Sequence, residues 1–182
     1  MKIIGFVYNG ERLSVSGERL WEMVLKGDSC LLNGRKPFFI PDWSNEVGVT
    51  DCIILRVSRL GKDIAPKFAD RYYDAIAPGA DFVAMDKLRE AQQAGQPWTQ
   101  ALAFDYSLAI GEFTDKGDGL EVIGDRFILT PEEAIAKASQ VMTIRQGDLI
   151  YIQAKQAPRR VQREEVICRQ IDGEERLYCK IK

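Results

Sequence analysis

The chain has 182 residues, with 25 Lys plus Arg against 27 Asp plus Glu, 46% hydrophobic residues and no histidine. A length of this order buries roughly 70% of the unfolded surface, so a single domain over residues 1–182 is expected to need no disulfide or metal staple. The missing histidine excludes Ser-His-Asp and Cys-His nucleophilic sites and His-ligated zinc, and a net charge of −2 excludes the clustered basic footprint that nucleic acid or an anionic membrane attracts.

In chain order, residues 3–8 and 11–16 form a predicted hairpin, because Asn9-Gly10 supplies the two positive φ values of a type I′ turn. Residues 18–26 carry Leu20, Met23 and Val24 near one helical face and stop at Gly27, which predicts a short helix. Short strands are expected at about 29–32 and 36–40. Residues 52–57 are apolar on both faces for much of their length and read as a strand buried in the sheet. Over residues 66–76, Phe68, Ala69, Tyr72, Tyr73 and Ile76 recur at helical spacing, with Pro78-Gly79 closing the helix. A strand over 80–84, a polar helix over 86–94 ended by Gly95, and a strand near 106–110 follow. Thr130-Pro131-Glu132-Glu133 is a capping box that opens a helix over 131–140. Strands are expected over 148–153, 161–171 and 174–181, the last two joined at Asp172-Gly173 so that Cys168 lies opposite Leu177. Many short strands with few scattered helices predict a β-rich α+β fold.

The cysteines at 30, 52, 168 and 179 include no CxxC pair and are expected to be reduced thiols. No run of about 18 apolar residues and no signal-like N-terminal stretch is present, which predicts a cytoplasmic protein without membrane contact. Asp81 and Asp86 bracket a strand-to-helix junction, where carboxylates cap helices or bind metal. Lys155, Arg159, Arg160 and Arg163 surround Pro158 and form a candidate anion-binding cluster.

Four segments together carry a family resemblance. They are Lys36-Pro37-Phe38-Phe39-Ile40-Pro41-Asp42, Arg56-Val57-Ser58-Arg59-Leu60-Gly61-Lys62, Gly79-Ala80-Asp81-Phe82-Val83-Ala84-Met85-Asp86 and Gln146-Gly147-Asp148-Leu149-Ile150. In order and spacing the chain resembles the fumarylacetoacetate hydrolase family, as a truncated member. The resemblance implies a mixed, rolled β-sheet core with short peripheral helices, usually dimeric. In the family, Mg²⁺ or Mn²⁺ helps to hydrolyse, isomerise or decarboxylate small 2-oxo and β-diketo acids.

Carried over residue by residue, the resemblance places the family's two metal-binding Glu on Thr50 and Cys52 and its metal-binding Asp on Asp81, the one ligand retained. The active-site Arg falls on Met85, the Gln on Leu88 and the Lys on Leu102, while the glycine-rich substrate loop becomes residues 153–159 without a glycine. Thr50, Cys52, Asp81, Met85 and Leu102 therefore make a vestigial pocket in which Mg²⁺ would find one carboxylate, a hydroxyl and a thiol. The sequence predicts a degenerate, non-catalytic protein with no cofactor. It would be structural or would bind a small organic acid, as a homodimer or with an active paralogue, and Trp21, Trp43 and Trp98 are available for an interface. The alternative is a metal-dependent hydrolase, isomerase or decarboxylase in which a bulge turns Asp51 inward to join Asp81 around Mg²⁺ or Mn²⁺. A third reading has Arg159, Arg160 and Arg163 facing an anionic ligand.

Overall fold

The computed structural model describes residues 1–8, 21–119, 126–171 and 173–182. The strands are β1 (Ile3–Tyr8), β2 (Trp21–Lys26), β3 (Leu31–Leu32), β4 (Val47–Val57), β5 (Tyr73–Ala84), β6 (Leu108–Ile110), β7 (Thr114–Asp115), β8 (Leu149–Gln153), β9 (Arg159–Arg160), β10 (Val166–Ile171) and β11 (Glu174–Lys180). Between them lie α1 (Pro66–Ala69), α2 (Met85–Ala94), α3 (Thr99–Leu102), α4 (Lys116–Gly119) and α5 (Pro131–Val141). Strands β1 to β9 form one mixed sheet in the order β2-β1-β8-β4-β5-β6-β3, with β7 on β5 and β9 on β4. Parallel pairs join β1 to β8 and β3 to β6, and β10 and β11 form a separate hairpin. The fold is the β-rich α+β arrangement expected from many short strands.

Strand β4 shows why its apolar run is nearly continuous. Ile53, Leu55 and Val57 pack with Phe6, Ile150, Ile152 and the α5 residues Ala134, Ile135 and Ala138. Cys52 and Ile54 face the opposite layer of Ile3, Val7, Leu149 and Tyr151. Both faces are covered, so both registers of the alternation must be apolar. Helix α5 starts as its sequence predicts: Thr130 Oγ1 accepts the Glu133 N–H at 3.2 Å, and Glu133 Oε2 accepts the Thr130 N–H at 2.9 Å.

The structure corrects several sequence-based expectations. Residues 21–26 of the predicted 18–26 helix form β2, in antiparallel register with β1 from Ile3↔Lys26 to Tyr8↔Trp21. Trp21 and Met23 pack on the α5 side and Val24 on the other, a period of two that the three helical matches had masked. The expected strand over 11–16 and its Asn9-Gly10 turn lie outside the described residues.

The helix expected over 66–76 survives as α1 and a 3-10 turn, Asp70–Tyr72, after which Tyr73 opens β5. Strand β5 runs straight through Pro78-Gly79, with Pro78 opposite Ile53 and its carbonyl accepting the Gly111 N–H. Gly79 is a close-approach position rather than a helix stop, since a Cβ there would lie 2.7 Å from Cys52 Sγ.

Residues 36–40 form no strand, only a bridge from Phe38 to Ile181. The strand expected over 161–171 begins at Val166. A bulge between Arg169 and Gln170 slides the final hairpin by one residue, so Cys168 faces Tyr178 and Leu177 faces Arg169. All four cysteines are free thiols.

Asp148 ties the start of β1 to the start of β8. Its carboxylate, 3% exposed, accepts the Lys2 N–H at 2.8 Å, the Lys2 ammonium at 2.5 Å and the Arg145 N–H at 2.9 Å. Burial alone would raise its pKa, but the Lys2 and Arg145 hydrogen bonds outweigh burial and hold the carboxyl below its ordinary value. A depressed acid stabilises the fold above its unfolded pKa of about 3.9, and that stabilisation is lost as pH falls through the lower folded value. Asp148→Asn should therefore lower the urea midpoint at pH 7. The gap to the unmodified protein should narrow progressively in unfolding curves taken as pH falls below about 3.9.

Candidate functional site

Antiparallel pairing of β4 with β5 sets Thr50 opposite Asp81 and Cys52 opposite Gly79. Paired residues share a face and strand residues alternate, so Thr50, Cys52 and Asp81 converge. Strand β8 brings Gln153 beside Cys52 from the other flank. From the end of β2, Lys26 reaches across and places Nζ 2.7 Å from Asp81 Oδ1, 2.9 Å from Ser107 Oγ and 3.2 Å from the Ser107 carbonyl. Gln153 Nε2 donates to Asp81 Oδ2 at 2.7 Å, and Gln153 Oε1 accepts the Tyr8 N–H at 2.7 Å. The Lys26 and Asp81 side chains are 0% and 2% exposed. This is a buried ion pair whose carboxylate is hydrogen-bonded on both oxygens, the arrangement that makes burial of charge tolerable.

The surrounding groups are neutral. The Cys52 thiol is pushed well above its ordinary pKa, first by burial and then by the Asp81 charge. The Tyr151 hydroxyl is pushed up by the same two causes, and it is buried without hydrogen-bond geometry to any described group. Lys26 Nζ lies 5.7 Å from the Tyr151 ring centroid. Gly5 makes room for that ring, because a Cβ there would sit 2.1 Å from it.

These residues do not fit Mg²⁺ or Mn²⁺. Such hard ions require several oxygen ligands, preferably carboxylates. Here one carboxylate has both oxygens committed, the thiol is held protonated, and an ammonium stands 2.7 Å from Asp81 where a cation would have to approach. Among the described residues, no group of three or more His, Cys, Asp or Glu is placed to hold a metal ion.

The other sequence-derived candidates lie elsewhere. Asp51 occupies the opposite face of β4, where its carboxylate accepts Arg126 Nη2 at 2.9 Å and Arg169 Nε at 3.0 Å and Nη2 at 2.5 Å. Asp86 accepts from Ser44 Oγ at 2.6 Å and from Asn45 N–H, which fastens α2 to the segment before β4. Met85 opens α2, and its sulphur fills the space beside Gly48. Leu102, buried on α3, packs with Val83, Ala101 and the half-buried Leu88 and Trp98. Thr50, Leu88, Leu102, Gln153 and Pro158 border a cavity of about 190 Å³. Arg159, Arg160 and Arg163 are exposed, with Arg159 bonded to Glu165 and Arg160 to the Asn45 carbonyl. Trp21 packs edge-on to Phe6, whereas Trp43 is exposed beside Phe104.

Lys26, Gln153 and Ser107 complete the site, and sequence reasoning missed all three. Alternation along β2, had the segment been read as a strand, would have put Lys26 on the face of Val24.

No protein-family model matches the sequence, and no curated protein matches it significantly. Solved structures do match. Fumarylpyruvate hydrolase from Pseudomonas aeruginosa, in complex with Mn²⁺ and pyruvate, is 18% identical with a TM-score of 0.77, covering 99% of this chain and 88% of that one. A Yersinia pestis protein ascribed to the fumarylacetoacetate hydrolase family is 18% identical with a TM-score of 0.83, covering 100% and 93%. The 5-carboxymethyl-2-hydroxymuconate delta-isomerase of Mycobacterium smegmatis is 15% identical with a TM-score of 0.72, covering 99% and 78%. Over its full length this chain therefore has the fold of the fumarylacetoacetate hydrolase family.

Proposed function

We propose that the chain is a non-catalytic protein on the fumarylacetoacetate hydrolase fold, in which the Lys26 ammonium serves Asp81 as its counter-charge in place of a divalent cation. The carrying observation is that Lys26 and Gln153 take one Asp81 oxygen each, inside a site where no group of three or more His, Cys, Asp or Glu among the described residues is placed to hold a metal ion. Its role is structural or that of a binding partner, acting as one unit over residues 1–182, with a second copy or an active paralogue as its mate. No helix among the described residues is long and apolar enough to cross a membrane.

A second reading draws on the Pseudomonas neighbour's Mn²⁺ and pyruvate and makes this chain a metal-dependent hydrolase, isomerase or decarboxylase with Asp51 as a ligand. That reading requires Asp51 to leave Arg126 and Arg169 and cross to the other face of β4. Elemental analysis of protein purified in MnCl₂ and then dialysed separates the two. The first reading expects far less than one Mn²⁺ per chain, unchanged by Asp51→Asn. Stoichiometric Mn²⁺ that Asp51→Asn abolishes would establish the second.

A further inference from the structure

The cavity of about 190 Å³ beside Thr50 has no charged side chain among its described lining residues. Val7, Val83, Leu88, Trp98, Leu102 and Pro158 supply most of its wall. Lys26 is not among those lining residues, and it is fully buried and bonded to Asp81 and Ser107. The Gln153 amide, which carries no charge, already donates one hydrogen to Asp81 and accepts the Tyr8 N–H. The Thr50 hydroxyl, in contrast, has no hydrogen-bond partner among the described residues and borders the cavity. A carboxylate entering here would lose hydration and gain no counter-charge, which is strongly unfavourable. Shape and lining instead suit a small apolar body, since an engineered apolar cavity of about 150 Å³ accepts benzene.

We propose that this cavity binds a small, uncharged, mainly apolar molecule, about one aromatic ring with a short polar substituent, which exchanges one hydrogen bond with the Thr50 hydroxyl. The proposal rests on the non-catalytic reading, because a bound divalent cation would turn the same wall into an anion site. It replaces the organic acid expected from the family resemblance with a neutral ligand.

Benzyl alcohol and benzoate have nearly the same size and differ in charge, so they serve as the probes. Isothermal titration of the full chain without metal should give benzyl alcohol a Kd of about 1 mM or below, the value that about eight heavy atoms can reach. Benzoate should bind at least about tenfold more weakly. Thr50→Val, which keeps the shape and removes the hydroxyl, should weaken benzyl alcohol by about threefold to tenfold and leave toluene unchanged. Benzoate binding as tightly as the alcohol without metal overturns the inference, as does no binding of either probe below about 10 mM. The same titration with Mn²⁺ separates the two levels of the account. Benzoate binding that appears only with Mn²⁺ overturns the non-catalytic reading, whereas silence from both probes with no Mn²⁺ uptake removes the cavity inference alone.

Discussion

Lys26→Met should destabilise the protein by about 3–5 kcal/mol, because it leaves the Asp81 carboxylate buried at 2% exposure without a counter-charge. Asp81→Asn should also be costly, since it strands the ammonium while leaving Gln153 and Ser107 in place. Combined, Lys26→Met with Asp81→Asn should cost clearly less than the sum of the two single changes. The double variant has no buried net charge, and contacting residues are where additivity fails. Urea unfolding of the four proteins gives the coupling directly. Additive losses would mean that Lys26 and Asp81 are held by their neighbours rather than by each other.

The second large effect concerns restoring a metal site. The family resemblance alone suggests that Thr50→Glu with Cys52→Glu would suffice, because both residues share a face with Asp81. The structure adds a third requirement, since the Lys26 ammonium already lies 2.7 Å from Asp81 and opposes any incoming cation. Thr50→Glu/Cys52→Glu should therefore bind Mn²⁺ poorly, whereas Thr50→Glu/Cys52→Glu/Lys26→Ala should bind it well. With Mn²⁺ at about a hundredfold excess over Kd, the triple variant should gain about 2.7 kcal/mol, or about 5–10 °C in Tm for a chain of this size. Without metal it should be the least stable of the set, because three carboxylates then share one buried point. A melting scan with and without MnCl₂ reads both effects. Turnover should not return, since Leu102 keeps the position that the resemblance assigns to the catalytic Lys.

The legible parts of the fold were those whose signals are local. The Thr130 capping box, the Gly95 helix stop and the two-faced apolar run of β4 each depend on residues close in sequence, and each is present. The misread segments are those where pairing overrides local pattern. Residues 18–26 satisfy a helical template at Leu20, Met23 and Val24, yet the edge of β1 draws residues 21–26 into a strand. Residues 73–78 open β5 and, apart from Asp74, are buried, so almost no alternation remains to identify them as a strand.

The site divides in the same way. Thr50, Cys52 and Asp81 could be placed together because strand alternation and the family spacing both act over short distances. Lys26 could not, because its partner is 55 residues away and its position depends on four strand pairings, β2 to β1, β1 to β8, β8 to β4 and β4 to β5. Gln153 ends the strand expected over 148–153, but nothing local points it at Asp81, since their hydrogen bond spans 72 residues.

Crystals soaked in MnCl₂ and measured at the manganese absorption edge test the central claim most directly. The account predicts no anomalous peak at Asp81, with Lys26 Nζ and Gln153 Nε2 still within hydrogen-bond distance of its two oxygens. An anomalous peak about 2.1 Å from an Asp81 oxygen, with the Lys26 side chain turned away, would contradict it.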